Sequence, residues 1–207
     1  MFYAFWKFFC WLCSALYLPT TVKGEKNIPK KGGFILACNH VSYLDPVIFG
    51  ISCPRPLNFM ARESLFDNRV FGWLLARVNV FPIKRYSADI GAIKEALRRL
   101  KIGSGILLFP EGTRSSDGRI GEGLEGVGFL ARKSNAPVIP AFIKGTQKAM
   151  PKGAKFVKPA RLTVVFGPAI RFSEEGCASD KVRTDEIMTQ IELLKYPLQN
   201  SNILLTN

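Results

Sequence analysis

From Thr20 to Phe166 the sequence alternates short apolar runs with amphipathic stretches, and this alternation restricts the fold more than any other feature. Runs at 34–38, 57–61, 80–83, 105–109, 138–143 and 162–166 have the length and side-chain content of buried strands. Between them, residues 88–101 make the clearest helix. Ile90, Ile93, Leu97 and Leu100 form one face and Lys94, Glu95, Arg98, Arg99 and Lys101 the other, and Gly103 follows as a stop. Weaker helical patterns cover 124–134 and 180–194. Strands separated by helices predict a single α/β domain whose mostly parallel or mixed central sheet is flanked by helices. With no repeat, low-complexity tract or internal linker, the domain is expected over 19–198, followed by a tail at 199–207.

Residues 1–18, MFYAFWKFFCWLCSALYL, stand apart: they hold eight aromatic residues and one charge, Lys7. As a helix they would reach about 27 Å, just short of a hydrocarbon core of about 30 Å. Tyr3, Lys7, Cys10, Ser14 and Tyr17 recur at helical spacing and form one narrow, less apolar stripe. A helix lying in the membrane interface, stripe toward water or protein, fits this pattern better than a clean span. A short span and a signal peptide are the other readings; no small-x-small cleavage site precedes Pro19 to favour the latter. Cys10 and Cys13 have no second Cys pair, so they read as small residues of an apolar helix and not as a zinc or redox site.

The 207 residues include 29 Lys and Arg against 16 Asp and Glu, a net charge of +13, which calls for a polyanionic partner. Hydrophobic residues make up 47% of the chain, enough for an ordinary core and too many for a disordered protein. Five irregularly spaced cysteines do not read as a disulfide framework, and a reducing compartment is expected. The chain has one histidine, His40, so mechanisms needing two histidines and His-rich metal sites are excluded.

His40 lies in Asn39-His40-Val41-Ser42-Tyr43-Leu44-Asp45, directly after the apolar run FILAC. Histidine is the usual general base near neutral pH, and a carboxylate on its second ring nitrogen fixes tautomer and orientation. On a straight helix, residues five apart are about 140° apart, so His40 and Asp45 meet only where the chain turns between them. Asp45-Pro46 suits such a turn and helix start. Taken alone, the pair also reads as a helix cap beside a strand-end histidine. A second cluster, Phe109-Pro110-Glu111-Gly112-Thr113-Arg114-Ser115, follows the run GILLF. Arg114 offers a planar fork suited to phosphate, and Gly112 allows close backbone approach. Phe81-Pro82-Ile83-Lys84-Arg85 places two cations after a third run, and Pro137-Val138-Ile139-Pro140 opens a fourth.

In this order and separation the four blocks resemble the glycerolipid acyltransferase family, over roughly Thr20 to Pro168. The first and third blocks match its pattern in full; the second carries an extra Pro82 before Ile83, and the fourth has Pro137 ahead of its valine. The resemblance implies transfer of an acyl chain from a thioester, acyl-CoA or acyl carrier protein, to the sn-2 hydroxyl of 1-acylglycerol 3-phosphate. It implies His40 as general base and Asp45 as its orienting partner. Asn39, Arg85, Glu111, Gly112, Thr113 and Arg114 are then the substrate-binding set, and no metal or cofactor is expected. Elementary chemistry agrees, since a thioester is already activated and needs a base and charge stabilisation but no covalent nucleophile. No Gly-x-Ser-x-Gly elbow is present, and Ser42 is not expected to act as one.

Drawing a sixteen-carbon tail fully into water costs on the order of 10 kcal/mol at about 0.8 kcal/mol per CH₂, so such an enzyme is expected at a membrane, on its cytoplasmic face. Lys144, Lys148, Lys152, Lys155, Lys158 and Arg161, with no acid between them, suit anionic headgroups, an acidic carrier protein or plain solvation. Alternatives are an acyltransferase for another lysolipid, a transacylase or thioesterase using the same base, and a non-catalytic basic module. Nucleic acid is not the expected partner, because the aromatics gather at the N-terminus and no nucleic-acid motif is present.

Overall fold

The computed structural model describes residues 2–84, 89–151, 153–172 and 179–196. Arg85, Lys152 and the 199–207 tail, all given roles above, lie outside the described residues.

The most apolar run becomes the central strand. β2 (Phe34–Cys38) is buried at every position, with Phe34, Leu36 and Cys38 facing one core and Ile35 and Ala37 the other. A strand covered on both faces has no polar side to show, which is why it reads as an unbroken apolar run. Around it lie β1 (Thr20–Lys23), β3 (Leu57–Arg62), β4 (Val80–Ile83), β5 (Gly105–Leu108), β6 (Val138–Lys144) and β7 (Leu162–Phe166). The sheet order is β1-β7-β6-β2-β5-β3-β4. All neighbours are parallel except β6 and β7, so the sheet is mixed, as expected. β1, whose burial alternates, was not evident in the sequence.

Helices cover both faces. α1 (Phe2–Tyr17) packs on α2 (Asp45–Ser52), and α2 sets Ile48 and Phe49 into the first core; α3 (Arg69–Arg77) connects β3 to β4. Right-handed crossovers put α2 and α3 on the same face, and Trp73 of α3 meets Phe2 of α1 edge-on at 5.9 Å. The opposite face carries α4 (Ile90–Lys101), α5 (Gly126–Ser134) and α7 (Asp180–Leu193) over the second core. A single turn, α6 (Thr146–Ala149), follows β6.

The expected helix at 88–101 is α4, capped by Asp89, whose side chain accepts from Ala92 N at 2.9 Å. Its buried face differs from expectation. Ala92, Ala96 and Leu100 point inward and Ile90 is exposed. Small residues let the helix lie close to the sheet, and that packing outweighs the burial of one end isoleucine. The expected strands at 57–61 and 138–143 extend one residue further, and that at 105–109 ends one earlier.

Candidate active site

The connection leaving β2 goes to the α1–α3 face, and the one leaving β5 goes to the α4–α5–α7 face. The two strands are parallel neighbours whose connections leave to opposite faces, so the carboxyl edge between them is a topological switch point, where sheets of this kind hold ligands in a crevice. His40 stands on one side of it and the Glu111–Arg114 loop on the other.

The chain turns after His40 as the spacing required. Asp45 is the first residue of α2, fully buried at 0% exposure, and its carboxylate points back along the chain. Oδ2 accepts from His40 Nδ1 at 2.8 Å, Val41 N at 2.7 Å and Ser42 N at 2.8 Å. Oδ1 accepts from the Thr146 hydroxyl at 2.6 Å. Four donors converge on one carboxyl, so it acts throughout as acceptor, and the proton of the imidazole sits on Nδ1. In the neutral ring Nε2 is then the nitrogen that carries the lone pair. The ring lies on Phe109, centroids 3.8 Å apart and planes 20° from parallel, with 17% of the His40 side chain exposed. This arrangement holds a base in one tautomer and one orientation.

Two neighbours with reactive groups are occupied elsewhere. Ser42 is buried, its hydroxyl donating to Met150 O at 2.8 Å and accepting from Leu44 N at 3.2 Å. The Cys38 thiol donates to Leu108 O at 3.6 Å, and burial, with the Asp45 and Glu111 carboxylates nearby, pushes its pKa well above the ordinary thiol range.

On the β5 side, Glu111 Oε1 accepts from His40 N at 3.0 Å and Oε2 from Gly121 N at 3.1 Å. Ser115 N in turn donates to His40 O at 2.8 Å, which bolts the two loops together at the histidine. Gly112 holds φ at +66°, a left-handed turn where a Cβ would stand 2.6 Å from Leu124 Cδ1. That turn brings Arg114 back across the crevice, its Cζ 3.5 Å over the Tyr43 ring. Arg114 Nη1 is buried and has no hydrogen-bond partner among the described residues. A buried guanidinium nitrogen left bare is costly, and an anionic ligand in the crevice would satisfy it. Thr113 is exposed at the loop tip.

Asn39, expected in the substrate set, is directed away from the crevice. Its amide nitrogen donates to Ile143 O at 3.0 Å and its oxygen accepts from Ile143 N at 2.8 Å, so it clips the end of β2 to β6. Glu111 is likewise committed to backbone groups. Thr146, Phe109 and Tyr43 were missed as members of the site. Phe109 and Tyr43 lie inside the two motifs, but Thr146 stands 101 residues from Asp45 and carries no local signal. Its approach depends on Gly145, φ +102°, where a Cβ would lie 2.3 Å from Arg161 O. Among the described residues, no three His, Cys, Asp or Glu side chains gather to hold a metal ion.

The family model described as Acyltransferase matches residues 19–144, the segment that carries both loops. This chain belongs to that acyltransferase family. A chloroplastic 1-acyl-sn-glycerol-3-phosphate acyltransferase of Brassica napus is 31% identical over 179 residues, covering 84% of this chain and 52% of the relative. The acyltransferase of the same name from Bacillus subtilis is 29% identical over 163 residues, covering 78% of this chain and 79% of its own. The crystal structure of the 1-acyl-sn-glycerophosphate acyltransferase PlsC from Thermotoga maritima superposes with a TM-score of 0.70 at 27% identity, covering 86% of this chain and 73% of that one. The chain spans about half the length of the plant relatives it matches, 52% and 47%.

Proposed function

We propose that this acyltransferase-family protein moves a fatty acyl group from an acyl thioester to the sn-2 hydroxyl of 1-acylglycerol 3-phosphate, giving phosphatidic acid for phospholipid synthesis. The observation that carries the reading is the His40–Asp45 pair at 2.8 Å, together with the buried Arg114 Nη1 that has no partner among the described residues. His40 Nε2 takes the proton of the acceptor hydroxyl as its oxygen attacks the thioester carbonyl carbon. A C–O bond forms, the C–S bond breaks, and the departing thiolate recovers the proton from the imidazolium. Asp45 supports the transient positive charge on the ring, and its backbone donors keep it in place.

Arg114 engages the acceptor phosphate, joined by Arg85, while Gly112 and Thr113 shape the approach. Asn39 and Glu111 serve by positioning, because their polar atoms are already used. No cofactor takes part. The donor is acyl-CoA or acyl carrier protein, and Lys148, Lys155, Lys158 and Arg161 suit either polyanion.

The work takes place on a membrane, at its cytoplasmic face. α1 supports this, because its polarity is inverted. Lys7 donates to Cys53 O, Tyr3 accepts from Leu57 N and Ser14 is buried, whereas Phe5, Phe8, Phe9, Trp11, Leu12 and Leu16 face outward. An outward apolar face on a helix held to the protein by its polar stripe suits insertion into a lipid interface. No helix among the described residues is long and apolar enough to cross a membrane.

The test is a panel of lysolipids with purified protein and one labelled acyl thioester, with His40→Ala as control. Transfer to lysophosphatidic acid ahead of other headgroups is expected, and loss of transfer in the variant. Undiminished transfer by the variant would remove His40 as the base.

A further inference from the structure

Outside the crevice, α3 is a helix whose outer side is covered by none of the described residues. Val70 is 78% exposed and Trp73 53%, with Phe71 and, in the preceding 3₁₀ turn, Leu65 also outward. Only Gly72 of the helix is buried. Single exposed apolar residues are ordinary on a protein surface, but a contiguous group with an aromatic centre marks a contact site. This group is also continuous with the outer face of α1. Phe2 meets Trp73 edge-on at 5.9 Å, and the Arg77 guanidinium lies 4.6 Å over Trp73 and 5.9 Å over Phe2.

We propose that α3 is a second membrane-contacting helix, and that α1 and α3 together form one apolar face resting on an anionic bilayer. The inference depends on the reading that the protein works at a lipid surface, and it adds a separate element and a lipid charge to it. The chemistry of the patch selects the occupant. Arg69 and Arg77 stand at the two ends of α3, both exposed, and the helix itself contains no acid; in the segment before it the exposed Glu63 and Asp67 are set against the exposed Arg62, so the cations prevail. Tryptophan with flanking arginine is the composition that settles at headgroup level, rings among acyl chains and guanidinium on phosphate. A second copy of the chain is the poorer occupant. A two-fold contact through α3 would bring the arginines of both copies together in a protein of net charge +13. The contrast with α4 on the opposite face is direct, since Lys94 and Arg98 point outward there and its apolar residues, apart from end residue Ile90, point inward or lie half-buried.

Vesicle co-sedimentation of the full chain tests this, using phosphatidylcholine vesicles with and without phosphatidylglycerol. Two variants are compared with wild type: Val70→Asp, which alters a side chain with little packing to lose, and Val70→Ser with Trp73→Ser. Both are expected to reduce partition onto the anionic vesicles by roughly tenfold or more, and omission of phosphatidylglycerol to weaken the wild type similarly. Acyl transfer to a short-chain lysophosphatidic acid dispersed as monomers should stay at the wild-type level, which shows that the variants are folded. Wild-type partition by both variants would overturn the role of α3 while leaving the membrane reading standing. Failure of the wild type to bind either vesicle would remove that reading and the inference with it. A lipid-free dimer dissociated by Val70→Asp would assign the patch to self-association and overturn the proposal.

Discussion

The two loops that face each other across the crevice differ in how completely they satisfy themselves. In the loop after β2, the Asp45 carboxylate meets four donors, and the serine and asparagine around it are fully engaged. In the loop after β5, a buried guanidinium nitrogen lacks a partner among the described residues. The first loop is satisfied within the protein, and the second leaves one donor over for a ligand. Preorganised groups speed the chemical step, and groups that await a ligand set its binding. Substitutions in the two loops should therefore divide between kcat and KM.

The sharpest way to break that division is His40→Ala, expected to lower kcat by about 10²- to 10⁴-fold with little change in acceptor KM. Steady-state kinetics over a range of lysophosphatidic acid would show it. Asp45→Asn comes next. Its amide supplies one acceptor and two donors where four donors converge, so a loss of kcat of about a hundredfold or more should accompany about 2–3 kcal/mol of lost stability in urea. Arg114→Ala should act on the other side, raising acceptor KM about 10- to 100-fold with kcat largely kept. A fall in kcat with unchanged KM would place Arg114 with the preorganised loop and dissolve the contrast.

Thr146→Val is a finer probe. It removes the one donor to Asp45 Oδ1 among the described residues and should lower kcat by about tenfold at constant KM, with Thr146→Ser restoring it. The smallest effect is expected far from the site. Arg98 and Arg99 beside Glu95 hold its carboxyl at a pKa of about 2, below the ordinary 4.5. The stabilisation is therefore full above pH 4.5 and disappears as pH falls toward 2. Because the pair is partly solvated, Glu95→Gln should cost under about 1 kcal/mol at pH 7 and nothing at the acid end, as thermal melts across that range would register.

What the sequence disclosed follows from where each signal is local. β2, β5 and β6 are central, and their continuous apolar runs are legible almost residue by residue. β1 is half-exposed and α3 carries its aromatics outward, so neither shows the pattern of a segment facing a core. His40 and Asp45 were legible because a turn is the way five residues bring them together. The alternative reading of Asp45 as a plain forward helix cap does not describe it: its carboxylate accepts from His40, Val41 and Ser42 behind it. The tasks of Asn39 and Thr146 depend on partners 104 and 101 residues away, brought close only when β6 lies beside β2. For α1 the polar stripe was visible, but which side it faced was settled by Cys53 O and Leu57 N, groups of a different element.

The clasp between Lys7 and the Cys53 carbonyl reaches beyond anchoring. A tether on a flexible stalk would let the domain tumble above the leaflet and meet substrates from any side. On the bilayer proposed above, a plank fastened to the body would impose one attitude on the whole molecule and hold the carboxyl edge of the sheet at a set height over the acyl chains. Reach would then become a selector: a headgroup that presents its hydroxyl at that level would be within range of the imidazole, and one that stands higher or lower would not, whatever its charge.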